Sequence, residues 1–136
     1  MTTEPAADRP PVRSSILRLL AAYWLPAALY VALILMVSSK PFLAPPIRFP
    51  YVDKVAHLAE YGVLGLLLAR ALRASAPGSR GLARAAWAVA GGILVGAGDE
   101  WFQSFVPGRE SSLLDVAADT LGAALAQALP RRILPE

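Results

Sequence analysis

The chain contains no cysteine. Disulfide frameworks, thiolate metal sites and thiol redox motifs are therefore excluded. Charge is also scarce. Only 17% of the 136 residues are Asp, Glu, Lys or Arg, while 56% are hydrophobic, above the roughly 45–50% of an ordinary soluble domain. Lysine is nearly missing, with two against eleven arginines, and there is one histidine. No glycine-rich phosphate loop, no serine nucleophile elbow and no nucleic-acid motif occurs, so nucleic acid is not an expected partner. The length fits one domain, and the apolar surplus points to a membrane protein. Abundant alanine and arginine over lysine hint at a GC-rich bacterial genome.

Long apolar runs are what the chain does have. After a polar, proline-rich stretch at 1–18, which reads as a disordered tail, residues 19–39 carry no charge over 21 positions. That is enough to cross a bilayer core, which takes roughly 20 residues. Pro26 is expected to kink this span. A cleaved signal peptide is the competing reading, but the run is too long and lacks a clear small-x-small cleavage site. The prolines of "KPFLAPPIRFPY" exclude a helix there. Three weaker apolar segments follow, uncharged over 61–69, 85–98 and 120–130. Each alone could be a buried soluble helix, so a single anchor carrying a small helical domain is the plain alternative. The charge order favours an all-α, polytopic four-helix membrane bundle with spans near 19–38, 53–72, 84–105 and 112–130 and a short tail at 131–136. With four spans, nine Lys/Arg fall on one side and four on the other. The positive-inside rule then places both termini in the cytoplasm.

The polar halves of spans two, three and four all point to the outer side. They gather Asp53, Lys54, His57, Glu60, Asp99, Glu100, Gln103, Arg109, Asp115 and Asp119 into a cup at the outer leaflet. Asp53 and His57 are four apart and share a helix face, as do Asp99 and Gln103, and Asp115 and Asp119. Small residues, with Gly92 and Gly96 in G-x-x-x-G and Gly62, Gly65 and Gly122 nearby, would let the backbones approach.

An ionisable residue inside a membrane is a functional candidate by default. His57 fits a general base or nucleophile oriented by Asp53, and a polar contact between helices is its plain alternative. Asp99 and Glu100 lie about 100° apart on a helix, so they cannot point the same way. One of them would act as acid or base, the other meeting water or Arg109. In "VPGRES", Pro107 and Gly108 make a turn, and Ser112 with Asp115 fits a capping box for the last helix. Arg109, at that helix's mouth, is placed to clamp a phosphate or to pair with a nearby acid. An oxygen-only cation site from Asp99, Glu100, Asp115 and Asp119 would suit Mg²⁺ or Ca²⁺, but the spacing specifies no metal. No cofactor is evident.

Two blocks, "DKVAHLAEYGVLGLLLA" (53–69) and "DEWFQSFVPGRESSLLDVAADTLGA" (99–123), resemble the VanZ-like membrane protein family. The shared pattern is D-K-x-x-H-x-x-x-Y-x-x-L-G, then D-E-x-x-Q-x-x-x-P-G-R-x-x-S-x-x-D-x-x-x-[ND]-x-x-G. It extends over roughly 50–125. Asp119 departs from the family's usual asparagine. The resemblance implies a small polytopic membrane protein associated with glycopeptide resistance and kin to membrane enzymes acting on phosphate-bearing lipid head groups. Together these readings give Asp53, His57, Asp99 and Glu100 as catalytic candidates. Lys54, Tyr61, Gln103, Arg109, Ser112, Asp115 and Asp119 are candidates for binding. The expected partners are membrane lipids or lipid-linked envelope precursors, in the bacterial cytoplasmic membrane with the site on the outer side. A homo-oligomer is compatible with this. A non-catalytic lipid- or glycopeptide-binding protein for envelope stress or antibiotic tolerance is the alternative. A small transporter is disfavoured because no polar path crosses the bundle.

Overall fold

The computed structural model describes residues 12–41, 51–109 and 111–129. The proline-rich stretch 42–50 and the expected tails at 1–11 and 131–136 lie outside the described residues. All regular structure among those described is helical. Val12–Leu19 (α1), a π-helical turn at Leu20–Trp24 and Leu25–Ser38 (α2) run on without a break, followed by Val52–Ser75 (α3), Gly81–Gln103 (α4) and Leu113–Ala128 (α5).

The expected tail is corrected over 12–18, which is helical. Extending a helix fixes one residue per hydrogen bond gained, whereas starting one is costly. The span therefore carries its helix outward through Arg18 and Arg13 to Val12. Pro26 acts through the turn before it. Proline has no N–H and its ring crowds the carbonyl four residues back. The Leu25 N–H reaches back five residues to the Leu20 carbonyl instead, a widened turn that absorbs the misfit.

Three helical segments are long and apolar enough to cross a membrane: Ser15–Ser38, Val52–Ser75 and Gly81–Gln103. At about 1.5 Å per residue the first two reach roughly 36 Å, beyond a bilayer core of roughly 30 Å. α5 has 16 residues, roughly 24 Å by the same rise. Leu25, Leu29, Leu33, Leu94, Leu121 and Leu125 all lie exposed on the outside. A sheath of this kind suits lipid and not water.

Small residues fill the interior. α3 and α5 make the closest approach, where a β-carbon added to Gly65 would lie 2.8 Å from Ala123 Cα, and one on Gly122 would lie 2.9 Å from Gly62 N. On the other side of α5, Gly92 faces Ala123 and Gly96 faces Asp119. These contacts wedge α5 between α3 and α4. α2 packs more loosely on α3 through Ile34, Tyr61 and Leu64. The Arg-rich end is tied by Arg70 over the Tyr23 ring at 4.8 Å, Trp24 Nε1–H donating to Ser75 Oγ at 2.9 Å, and Arg84 donating to the Ala76 and Pro77 carbonyls. The acid-rich ends of α3, α4 and α5 meet at the opposite end.

Candidate functional site

Two polar clusters occupy that end. The first holds α2 against α4. Asp99, nearly fully buried, accepts at Oδ2 from Ser38 Oγ at 2.9 Å and from Gln103 Nε2 at 2.8 Å. Gln103 Nε2 also donates to Ser38 Oγ at 3.2 Å. Arg109 then ties the turn after α4 to the end of α2. Its Nη2 donates to the Val37 carbonyl and its Nε to the Lys40 carbonyl, each at 3.1 Å, and its Nη1 reaches Gln103 Oε1 at 3.4 Å. A guanidinium at these carbonyls complements the negative end of the helix. Ser38 was not legible as a site residue, because a serine ending an apolar run reads as an ordinary terminus.

The second cluster lies between α3, α4 and α5. The expectation that Asp53 orients His57 gives way to a different pairing. His57 Nδ1 is 2.9 Å from Oδ1 of Asp119, which is fully buried. Asp53 is half exposed and bonds Lys54 at 2.8 Å. A carboxylate only accepts, so the pair places a proton on Nδ1, and in the neutral ring Nε2 carries the lone pair. The His57 ring lies parallel to Tyr61, their centroids 6.5 Å apart. Lys54 bridges Asp53 to the buried Asp115. Glu100 accepts the Ser112 N–H at Oε2, 2.7 Å away. Ser112 does cap α5, its Oγ accepting from the Leu114 N–H at 3.2 Å. The reciprocal half of the expected capping box is supplied by Glu100 of the neighbouring helix and not by Asp115, which is thereby left to Lys54.

Asp99 and Glu100 diverge as their adjacency requires, one into each cluster. Five buried oxygens have no hydrogen-bond partner among the described residues: Asp99 Oδ1, Glu100 Oε1, Asp115 Oδ1, Asp119 Oδ2 and the Tyr61 hydroxyl, of which Asp115 Oδ1 is ion-paired with Lys54. Leaving such groups unsatisfied costs about 1–3 kcal/mol each, more when charged.

Both sequence blocks thus converge on one end of the bundle. A family model described as VanZ/LLP1 matches residues 6–134. The chain belongs to this family. No curated protein and no solved structure matches it. In this VanZ/LLP1 protein the second cluster brings together His57, Lys54, Glu100, Asp115 and Asp119, with Tyr61 beneath. Asp99, Gln103 and Arg109 stand in the adjoining first cluster. The four acids expected as an oxygen-only cation site are divided, since Asp99 is engaged by Ser38 and Gln103 and Asp119 by His57.

Asp119 yields a prediction. Asp119→Asn keeps a carbonyl oxygen for His57 Nδ1–H and removes a buried negative charge. Unfolding of the purified protein in detergent should then show the variant more stable by about 1–2 kcal/mol. A lower unfolding temperature would mean that the charge is compensated by more than the imidazole.

Proposed function

We propose that this VanZ/LLP1 protein binds phosphate-bearing lipid or lipid-linked head groups in its polar cup and acts on them chemically. The observation that carries the reading is the His57–Asp119 pair. Its orienting carboxylate is buried, and it lies at one end of an apolar bundle beside the ammonium of Lys54. In this reading α5 is a fourth span, supported by its place between α3 and α4 and its exposed Leu121 and Leu125. Both ends of the chain face the cytoplasm of a bacterium and the cup opens to the outer leaflet, supported by the nine-to-four arginine and lysine asymmetry.

The chemistry follows from the donor set. Lys54 at the rim attracts the head-group phosphate and loosens its hold on Asp115 as it does so. His57 Nε2 accepts the proton of an attacking water or alcohol hydroxyl as the new P–O bond forms. The same proton returns to the departing oxygen as the old P–O bond breaks. Asp119 holds the ring and stabilises the transient imidazolium. Arg109 acts by holding the turn that carries α5 into place.

The test is reconstitution of the full chain in vesicles of native bacterial phospholipids containing undecaprenyl phosphate carriers. Mass spectrometry compares head groups over hours against protein-free vesicles. A head group altered only where the protein is present is the expected result. Unchanged lipids from folded protein would defeat the catalytic reading and favour a cup that binds without turnover.

A further inference from the structure

We infer that the cup holds one divalent d-block cation, Zn²⁺ or Mn²⁺, bound by His57, Glu100 and Asp115. A donor atom from each of these residues lies within 4.8 Å of the others, and two of the three residues are buried. The separation is wider than the donor spacing around a bound ion, so side-chain rotation would close it.

The bonds around the three residues leave the right atoms for a cation. His57 Nδ1 is bound to Asp119 Oδ1 at 2.9 Å, so Nε2 is the nitrogen left to ligate. A carboxylate holding the far nitrogen of a histidine ligand is the usual outer-shell arrangement of such sites. Glu100 uses Oε2 for the Ser112 N–H, at 2.7 Å. Its Oε1 is buried with no hydrogen-bond partner among the described residues, on a residue only 3% exposed. That stranded oxygen is independent of the clustering and points to a positive ligand. Asp115 pairs with the Lys54 ammonium through Oδ1 and keeps Oδ2. The acids already collect one cation, and Lys54 is the competitor that an ion must displace.

Donor chemistry selects the metal. One imidazole nitrogen with two carboxylates suits Zn²⁺ or Mn²⁺ better than Mg²⁺ or Ca²⁺, which favour oxygen alone. The inference rests on the same cup as the function proposed above. With an ion bound, Nε2 would be a ligand, so the base role given to it above belongs to the metal-free protein.

The composition makes the test clean, since His57 is the chain's one histidine and there is no cysteine. The full chain, purified without a histidine tag and stripped with chelator, would be titrated with Zn²⁺ and separately with Mn²⁺. The expected result is one equivalent bound, with ¹⁴N coupling from a single imidazole in the Mn²⁺ electron paramagnetic resonance signal. His57→Gln should lose that coupling, and both His57→Gln and Glu100→Gln should bind at least about 100-fold more weakly. Lys54→Met should bind more tightly. No binding by the wild-type protein at millimolar metal, or a signal without nitrogen coupling, overturns the inference, whatever the variants' folding. So does binding that neither Glu100→Gln nor His57→Gln weakens. Head-group turnover by a protein that takes up no metal would sink this inference and leave the proposed function standing. One bound ion without turnover would do the reverse.

Discussion

His57→Gln is expected to lower head-group turnover about 10²–10⁴-fold while the bundle stays folded. Glutamine keeps an amide N–H₂ that can donate to Asp119 Oδ1, so the buried carboxylate retains a partner. It has no basic nitrogen to accept a proton or to ligate a metal. Alanine would be a poorer probe, because stripping the partner from a buried charge costs about 3–5 kcal/mol and would mix folding with chemistry. The measurement pairs initial rates in proteoliposomes with unfolding of the same preparation. Turnover that survives in the folded variant would take His57 out of the chemistry. Its bond to Asp119, 2.9 Å long and joining α3 to α5, would then be a contact between helices and nothing more.

The sequence made the helical class and the convergence legible for one reason. Along α3 and α5 the acids come first, and along α4 they come last, with Arg70, Arg73 and Arg84 at the opposite ends. In helices that pack antiparallel, this order alone collects the polar halves at one end. Partners within that end are another matter. Periodicity places Asp53 and His57 on one face of α3, but it says nothing of how α5 is rotated against that face. Gly62, Gly65 and Gly122 set the rotation by letting the backbones nearly touch, and it is this that presents Asp119 to Nδ1. Arg109 shows the same limit. A pattern of residues places it at the mouth of α5, whereas Val37, at the end of α2 that it caps, is 72 positions away in sequence. The helix over 12–18 was hidden for a different reason. Hydropathy registers the charges of Arg13 and Arg18 and not the small cost of prolonging a helix already begun.

Gly122→Ala is expected to prevent assembly of the bundle. The added β-carbon would run into the Leu58 carbonyl oxygen and lie 2.9 Å from Gly62 N and 3.1 Å from the Leu58 carbonyl carbon. All three are backbone atoms, which cannot swing aside as a side chain can. α3 and α5 would have to separate, and with them His57 and Asp119. Overpacking a core typically costs about 1–3 kcal/mol when side chains can adjust. Here the adjustment is displacement of a whole helix, so the loss should consume most of a net stability of about 5–15 kcal/mol. Gly98 supplies the contrast within the same fold. It lies in α4 with nothing within 4 Å of an added β-carbon, so Gly98→Ala should gain up to about 1 kcal/mol from helix propensity. Size-exclusion profiles and unfolding temperatures in detergent would read both variants. If Gly122→Ala eluted as a single species at the wild-type unfolding temperature, the close approach of α3 and α5 could not be what aligns the cup.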